Sequence, residues 1–243
     1  MAKKVALISG GTSGIGRAAV LQLLQDGFCV CAFAPSANKA KAFAKELAEL
    51  FEPANFLVLS GDVRKEESLK KVVAATVKKF KRIDVLFNNA GYGFYTKPEE
   101  VDIKKYQDMM EVNMIGMARL TKLVVPQMKK QKSGLIINTA SVAGRSVGLK
   151  GSFYSSTKFA VMGYSEGLRK DLVPYGIKVA TVCPGMVKTN FFNQKEYKRR
   201  LHELWHGREP MMLQSEDVAA VIGFICRQPA RSEVRDVFIM PFG

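Results

Sequence analysis

Apolar runs rich in β-branched residues alternate along the chain with longer stretches in which apolar and charged positions recur at helical spacing. The apolar runs predict the strands, which are "KVALIS", "FCVCAFA", "NFLVLS", "IDVLFNNAG", "GLIINTAS", "IKVATVCPG" and "DVFIMP". Each run is continuously apolar, which is typical of strands buried on both faces by crossover helices. Strands that alternate with helices over the whole length predict an α/β fold with a doubly wound parallel sheet.

The stretches between these runs predict helices over about 15–26, 38–50, 102–130, 152–173 and 215–226, with another in "KEESLKKVVAATVKKF". No repeat, linker or low-complexity tract divides the chain, so we expect a single domain over 1–243. The stretch from about 190 to 214 does not fit the alternation, because it is polar, basic and aromatic by turns.

The composition, with 47% hydrophobic and 24% charged residues, is that of an ordinary globular domain. No apolar run approaches the roughly 18 residues that a membrane span needs, and the N-terminal residues do not resemble a signal segment. We therefore expect a cytoplasmic protein without a membrane partner. The 4 cysteines form no C-x-x-C pair, so we expect buried free thiols.

The formal net charge of +15 raises the question of a nucleic-acid partner. The lysines, however, are spread over several predicted helices, where they alternate with apolar positions as on solvated helix faces. No nucleic-acid-binding motif accompanies them, so we expect no nucleic-acid partner. An anionic cofactor or an acidic protein remains possible.

A glycine-rich segment, "ISGGTSGIGRAA", follows the first predicted strand and opens the first helix. Glycines at these positions allow a sharp turn and a close approach of the backbone to a ligand, and the helix N-terminus offers free N–H groups to a pyrophosphate. Between the first strand and the first helix of a parallel sheet, such a segment predicts dinucleotide binding. The predicted contacts are Gly10, Thr12, Ser13, Gly14, Ile15 and Gly16.

The spacing G-x-x-x-G-x-G, together with six further motifs in order, resembles the short-chain dehydrogenase/reductase family over nearly the whole chain. These motifs are "DV" at 62–63, "NNAG" at 88–91, "VNMIG" around Asn113, "NTASVAG" around Ser141, "YSSTK" at 154–158 and "PGMVKT" at 184–189. The resemblance implies a Rossmann-type fold with a seven-stranded parallel sheet and NAD(P)-dependent interconversion of alcohols and carbonyls. It also implies a homodimer or homotetramer formed through the long helices at 102–130 and 152–173.

Tyr154 and Lys158 are four residues apart in a predicted helix and therefore share a face. A nearby ammonium favours the phenolate and lowers the pKa of a tyrosine, which suits it to proton transfer. The resemblance implies that Tyr154 is the proton donor and that Lys158 also bonds the nicotinamide ribose. It implies that Ser141 hydrogen-bonds the substrate oxygen and that Asn113 holds a water in a proton relay below Lys158.

The resemblance also assigns contacts along the dinucleotide. It implies that Asp62, with Val63 beside it, accepts from the adenine amino group. The expected contacts near the adenosine ribose are Asn88, Ala90 and Gly91. After a turn at Pro184 and Gly185, the nicotinamide carboxamide is expected to meet Val187 and Thr189.

The end of the second strand bears on the choice between NAD and NADP. Ala34, Pro35 and Ser36 stand where an NAD enzyme usually has an acid that binds the adenosine 2'-hydroxyl. Ser36, with Asn38 and Lys39, could instead bind a 2'-phosphate, with Arg17 on the first helix nearby. The arginine that many NADP enzymes of the family have here is also absent. We predict that NADP(H) is preferred and that NAD(H) is possible.

"HELWH" at 202–206 reads as a zinc-protease signature, with His202 and His206 one helical turn apart. A zinc site would need a third ligand, for which Glu209, Glu216 or Glu233 could be nominated. The pentapeptide lies in the off-pattern stretch, which the resemblance interprets as a lid over the substrate at about 190–214, so we expect no metal. From this stretch we expect the pocket mouth to be lined by Phe191, Phe192, Trp205 and Met211, opposite Tyr92, Phe94 and Tyr95.

The chain ends in "SEVRDVFIMPFG", which resembles the NADP-dependent 3-hydroxy acid and serine dehydrogenase branch of the family. It lacks the "TG…VDGG" ending typical of 3-oxoacyl-carrier-protein reductases. We therefore expect a small hydroxy acid or a general carbonyl compound as substrate. The alternative is a 3-oxoacyl-[acyl-carrier-protein] reductase, for which the basic surface would suit an acidic acyl carrier protein.

Overall fold

The computed structural model describes residues 3–189, 191 and 212–242. Its strands are β1 (Val5–Ser9), β2 (Cys29–Ala34), β3 (Phe56–Ser60), β4 (Val85–Asn88), β5 (Gly134–Thr139), β6 (Ile177–Pro184) and β7 (Asp236–Ile239). They form a 7-stranded sheet in the order β3-β2-β1-β4-β5-β6-β7. All neighbouring strands are parallel, which confirms the predicted Rossmann-type sheet.

The helices within the described residues are α1 (Gly14–Gln25), α2 (Ala37–Leu50), α3 (Glu66–Phe80), α4 (Ile103–Met110), α5 (Gly116–Gln131), α6 (Ser152–Leu172) and α7 (Ser215–Arg227). Successive residues of β1 point to opposite faces, so Ile8 joins one core and Leu7 the other. Ile8 packs in a core with apolar residues of α1, α2 and α7, whereas the core around Leu7 includes residues of α3, α5 and α6. Helices therefore cover both faces of the sheet.

The helix predicted over 102–130 is continuous but is not regular. Its α-helical parts, α4 and α5, are joined by a π-helical turn at Glu111–Ile115. The backbone N–H of Gly116 donates to Glu111 O, five residues back, which is the spacing of a π-helix. Asn113 lies fully buried in this turn. Insertions of this kind are frequent at functional sites.

The expectation that every strand is buried on both faces is correct for the centre of the sheet and wrong at its edges. All residues of β1 and β4 are buried. In contrast, β7 alternates between exposed and half-buried positions, and β3 has one fully buried residue, Phe56. An edge strand has a neighbour on one side only, which leaves part of its surface to solvent.

The strand order reverses between β1 and β4, which lie side by side with Ile8 paired to Phe87. Because the chain leaves these two strands in opposite directions, a crevice opens beyond their carboxyl ends. The glycine-rich segment follows β1 and "NNAG" begins at the end of β4, so both motifs lie at this crevice.

Cys31, Cys183 and Cys226 are buried free thiols, as predicted, whereas Cys29 is free but only half-buried. Within the described ranges, no helix is both long and apolar enough to cross a bilayer. The same residues contain no group of three His, Cys, Asp or Glu side chains that could hold a metal ion. His202, His206 and most of the predicted lid lie outside the described residues.

Candidate active site

The glycine-rich turn has the shape of a cradle that side chains would fill. Gly10 and Gly14 have φ of 66° and 51°, a conformation that favours glycine. A Cβ on Gly16 would overlap the carbonyl oxygen of Gly10. The exposed Ser13 precedes α1 and makes no side-chain capping bond, and the first turn of α1 contains no acidic residue. The N-terminus of α1 is therefore suited to an anion.

Two residues that were not predicted hold this cradle in place. Asn89 Nδ2 donates to Ser9 O at 3.2 Å and to Gly10 O at 3.3 Å. Ser9 Oγ accepts from the backbone N–H groups of Asn89, at 3.0 Å, and Ala90, at 3.1 Å. The predicted contact Ala90 thus lies against the turn. Asn89 could have been found from the sequence, since it is the second residue of "NNAG".

Asn88 and Gly91 occupy the two ends of the same motif. The side chain of Asn88 is 1% exposed and points inward, where Nδ2 donates to Thr121 Oγ1 at 3.1 Å and to Asn138 Oδ1 at 2.9 Å. The predicted contact of Asn88 with a ribose is therefore not available to its side chain and would fall to its backbone. Gly91 lies against Asn113, because a Cβ on it would be 3.0 Å from Asn113 Oδ1.

One buried stripe of α6 faces the sheet, with Tyr154 and Lys158 near its N-terminal end and Ser165 and Arg169 further along. The shared face predicted for Tyr154 and Lys158 is confirmed, since Lys158 Nζ is 5.9 Å from the centroid of the Tyr154 ring. Lys158 Nζ donates to the backbone oxygen of Thr139 at 2.8 Å.

Burial lowers the pKa of Lys158 to about 8, against a weaker opposing effect of Cys183. The cause is desolvation, which disfavours the charged amine. At a pKa near 8, the amine exchanges its proton within the range in which enzymes work, so it can take part in proton transfer as well as carry charge.

Ser141 caps a short 3₁₀ turn, Val142–Gly144, at the end of β5. Its Oγ accepts from Ala143 N–H at 3.1 Å and donates to Pro184 O at 3.4 Å. A Cβ on Gly144 would be 2.8 Å from Lys158 O, so this turn packs directly on α6. Ser141 is thus brought to the stretch of α6 that contains Tyr154 and Lys158.

Asn113 is attached to the same region through its amide. Its Oδ1 accepts from Tyr92 N–H at 3.0 Å, and its Nδ2 donates to Tyr92 O at 2.9 Å and to Thr157 Oγ1 at 3.0 Å. Thr157 Oγ1 in turn donates to Tyr154 O at 2.8 Å. Because these contacts occupy the amide, the expected water relay would have to use the backbone of Asn113. Thr157 was not predicted, although it lies within "YSSTK".

The segment after β6 returns to the glycine-rich turn. The N–H of Gly185 donates to Ile239 O at 2.8 Å, and Val187 forms a β-bridge with Leu213. The Cγ2 of Thr189 would be 3.3 Å from a Cβ on Gly14. The predicted nicotinamide contacts therefore lie beside the predicted pyrophosphate site.

Two aromatic rings lie next to the ring of Tyr154. The ring centroids of Tyr95 and Phe191 are 5.6 Å and 5.8 Å from that of Tyr154. Tyr92 and Phe94, which were also expected at the pocket mouth, contact α4. The hydroxyl of Tyr92 donates to an oxygen of Asp108 at 2.8 Å, and Lys105 Nζ lies 4.7 Å from the centroid of the Phe94 ring.

An open cavity of about 480 Å³ lies beside the start of α6. It is lined by the loop segments 97–99 and 147–151 and by Ser152, the first residue of α6. The two loops are joined where Thr96 N–H donates to Lys150 O at 3.1 Å. Lys97 and Lys150 contribute cationic side chains to the wall, and Val147 and Leu149 contribute apolar ones.

The end of β2 carries no acidic residue. Ser36 caps α2 by accepting from Lys39 N–H at 3.3 Å, and Ser36, Asn38 and Lys39 are all exposed there. Arg17 is near α2, as expected, but it is ion-paired with Glu46. A phosphate at this end of the sheet would meet a helix N-terminus whose first turn contains no acidic residue.

Asp62 follows β3, and its carboxylate is held by Arg64, whose Nη2 lies 2.8 Å from Asp62 Oδ2. The hydrogen bonds from Arg64 keep the pKa of Asp62 below its usual value. The neighbouring Val63 is buried, and its side chain would be 2.8 Å from a Cβ on Gly116. The carboxylate therefore remains an ionised acceptor beside the crevice.

The family model for short chain dehydrogenases matches residues 4–200. The chain belongs to the short-chain dehydrogenase family. Serine 3-dehydrogenase of Agrobacterium fabrum is 32% identical over 238 residues, which cover 97% of this chain and 92% of that protein. The NADP-dependent 3-hydroxy acid dehydrogenase of Schizosaccharomyces pombe is 31% identical over 242 residues, which cover 98% and 92%.

Solved structures of the family are also similar over nearly the whole chain. The closed form of a serine dehydrogenase complexed with NADP⁺ is 27% identical with a TM-score of 0.87, covering 98% of this chain and 94% of that one. A variant of actinorhodin polyketide ketoreductase with NADPH is 28% identical with a TM-score of 0.88, covering 99% and 98%.

Proposed function

We propose that this short-chain dehydrogenase is an NADP(H)-dependent oxidoreductase that interconverts a secondary alcohol and a carbonyl group, with a small hydroxy acid or a general carbonyl compound as substrate. The observation that carries the proposal is the meeting of three segments at the carboxyl ends of the strands. Tyr154 and Lys158 share a buried face of α6, the turn of Ser141 packs on that helix, and Thr189 joins this region to the glycine cradle.

The residues at the crevice fit a dinucleotide. The cradle between Gly10 and Gly16 and the N-terminus of α1 would hold the pyrophosphate. Asp62 would accept from the adenine amino group, and Thr189, with Val187, would meet the carboxamide. When bound, the nicotinamide supplies or accepts the hydride.

Charge at the end of β2 supports NADP(H) over NAD(H). An acid that would repel a 2'-phosphate is absent after β2, and Ser36, Asn38 and Lys39 lie exposed at the N-terminus of α2. The similar 3-hydroxy acid dehydrogenase is named for its dependence on NADP, and the similar serine dehydrogenase was solved with NADP⁺.

In the direction of reduction, Tyr154 donates its proton to the oxygen that becomes negative as the carbonyl takes up hydride. The ammonium of Lys158 favours the phenolate that this step leaves behind. Ser141 donates to the same oxygen, and its present bond to Pro184 O, at 3.4 Å, is long enough to be exchanged at low cost. Oxidation of the alcohol uses the same groups in reverse.

Names of similar proteins support the substrate class. The two relatives are named for serine and for 3-hydroxy acids, both of which carry a hydroxyl group and a carboxylate. The similarity to a polyketide ketoreductase favours a second candidate, reduction of a 3-oxoacyl group on an acidic carrier protein.

The chain is further proposed to form a homodimer or homotetramer through the helices at 102–130 and 152–173. Ile103, Ile115 and Phe159 on these helices are 54%, 40% and 45% exposed, so they are available to an interface between subunits. Light scattering of the purified protein measures the oligomer directly, and a monomer would contradict this assembly.

A substrate panel tests the proposed function. Hydroxy acids, aldehydes, ketones and acyl thioesters are offered with NADP(H) and with NAD(H), and turnover is followed by nicotinamide absorbance. We expect turnover of a hydroxy acid or its oxo form, with the higher kcat/KM for NADP(H). Equal kcat/KM with both dinucleotides would contradict the preference, and stoichiometric zinc with chelator-sensitive activity would favour the "HELWH" interpretation instead.

A further inference from the structure

The carboxylate of Asp62 is fixed by an unusually complete set of bonds from one residue. Arg64 Nε lies 3.0 Å from Oδ1 and 3.2 Å from Oδ2, and Nη2 lies 2.8 Å from Oδ2. The backbone N–H of Arg64 also donates to Oδ1 at 3.0 Å. A bidentate pair of this kind sets the direction in which the carboxylate presents its remaining lone pairs.

The guanidinium of Arg64 also contacts a second carboxylate. Its Nη1 donates to Asp108 Oδ1 on α4 at 2.8 Å, and the hydroxyl of Tyr92 donates to Asp108 Oδ2 at 2.8 Å. Asp62, Arg64, Asp108 and Tyr92 therefore form a continuous chain of polar contacts, which we call the polar bridge. It runs from the end of β3, across α4, to the loop that follows β4.

The pKa shifts along the polar bridge keep each group in the protonation state that its hydrogen bonds require. Hydrogen bonds from Arg64 lower the pKa of Asp62 and, together with one from Tyr92, that of Asp108, so both carboxylates stay ionised. Burial and the bond to Asp108 raise the pKa of Tyr92, so its hydroxyl remains a donor. The polar bridge therefore keeps its full set of bonds across the neutral range.

Tyr92, the last residue of the polar bridge, also holds the side chain of Asn113 in place. The backbone N–H and carbonyl of Tyr92 bond the Asn113 amide at 3.0 Å and 2.9 Å, and that amide bonds Thr157 beside Lys158. The side chain of Tyr92 thus faces the adenine end of the crevice, and its backbone faces the catalytic end.

We propose that Arg64, Asp108 and Tyr92 are positioning residues that tie recognition of the adenine amino group at Asp62 to the placement of Asn113. This inference rests on the proposed function, because it assumes that Asp62 meets adenine. Its consequence is that part of the binding energy of the adenine amino group, which is remote from the reacting atoms, is used to raise kcat instead of only lowering KM.

The test compares NADPH with its reduced hypoxanthine analogue, in which an oxygen replaces the exocyclic amino group. The unmutated enzyme should lose kcat/KM by about tenfold with the analogue, with part of the loss in kcat, because an ionised acceptor is left without its donor. Arg64→Gln should lower kcat/KM by about tenfold and Tyr92→Phe by about threefold with NADPH, yet each by less than twofold with the analogue.

A matched control is available at the amino ends of the strands, on the side of the sheet away from the crevice. Arg82 makes the same two-bonded pair with Asp84, at 2.7 Å for both bonds, but Asp84 precedes β4 and lies at its amino end. Arg82→Gln removes an equivalent ion pair far from the crevice. It should leave the ratio of kcat/KM for the two cofactors as in the unmutated enzyme.

If Arg64→Gln and Tyr92→Phe lower kcat/KM by the same factor with NADPH and with the analogue, the polar bridge has only a structural role and the inference is overturned. A loss confined to KM would remove the link to Asn113. Dissociation constants of both reduced cofactors, measured by their fluorescence, distinguish a failure of the polar bridge from a failure of the proposed function. A protein that binds neither cofactor would overturn the proposed function, whereas one that binds both equally would overturn the polar bridge alone.

Discussion

Lys158 and Arg169 lie on the same buried face of α6 but have very different hydrogen-bond and ion-pair partners. Arg169 donates to Val179 O at 2.9 Å and to Thr181 Oγ1 at 2.7 Å, and it is ion-paired with Asp236. Within the described part of the chain, the hydrogen bond from Lys158 is to Thr139 O, and no carboxylate is paired with it.

The difference separates a structural cation from a reactive one. A buried charge that is paired and fully hydrogen-bonded is stable in its ionised form, whereas one that lacks a counter-charge is driven towards neutrality. The pKa of Lys158 is lowered to about 8 for this reason. The C-terminal end of α6 therefore holds the fold together, and its N-terminal end keeps an amine whose proton can move.

The largest effect is expected at Tyr154, the partner of the reactive amine. Tyr154→Phe removes the proton donor and should lower kcat by about 10³-fold, because general acid catalysis of this kind contributes factors of roughly 10² to 10⁴. The dissociation constant of NADPH should change by less than twofold. Steady-state kinetics and cofactor fluorescence measure the two quantities.

Tyr175→Phe is a suitable control, because Tyr175 lies just beyond the other end of α6 and is exposed. It should leave kcat unchanged. Turnover retained in Tyr154→Phe would remove the acid role from this residue.

At the structural end of the helix, Arg169→Met should lower the free energy of unfolding by about 3 kcal/mol, because it leaves Asp236 partly buried without its partner. Urea denaturation measures this loss, and kcat per folded molecule should stay within twofold. The double variant with Asp236→Leu should recover most of the stability. A single variant as stable as the unmutated protein would show that the pair contributes little.

The lowered pKa of Lys158 predicts a dependence of stability on pH. An unfolded lysine binds its proton up to about pH 10.4, whereas the folded one releases it near 8. Between these values the unfolded state binds more protons, so the free energy of unfolding should rise with pH, by roughly 3 kcal/mol in total. Below pH 8 this gain is absent.

Lys158→Met should abolish that rise, and the difference between the two proteins is the quantity to measure. The pKa values of Cys31 and Cys226, raised by burial to about 12, act in the opposite direction above about pH 8.5 in both proteins. Identical pH profiles for the two proteins would show that Lys158 is not desolvated.

The smallest effect is expected for a cation in solvent. Lys39 is exposed at the N-terminus of α2, so Lys39→Glu should lower the preference for NADP(H) over NAD(H) by about fivefold, on the order of 1 kcal/mol. The ratio of kcat/KM for the two cofactors measures it, with Lys45→Glu, further along α2, as the control. An unchanged ratio would place the 2'-phosphate elsewhere.

Much of the fold follows from the sequence, because the pattern that identifies it is local. Apolar runs of strand length and the spacing of Gly10, Gly14 and Gly16 predict the parallel sheet and the position of the cradle. The π-helical turn at Asn113 could not be predicted in this way, because apolar periodicity does not distinguish one extra residue in a helix turn.

The candidate site was predicted less completely than the fold. Residues within motifs, such as Tyr154 and Lys158, share the predicted face. Arg64, Asp108 and Tyr92 were missed as a group, since they are far apart in the chain and meet only when α4 contacts the segments that follow β3 and β4. The side chain of Asn88 points into the interior, a direction set by strand parity at the end of β4 that is not visible in "NNAG".

The packing of Thr189 against Gly14 has a consequence for synthesis of the protein. A ribosome that has released the first 100 or so residues has exposed the glycine-rich turn but not the segment that closes over it. The complete cradle therefore forms only after β6 and the segment that follows it have been synthesised, late in translation.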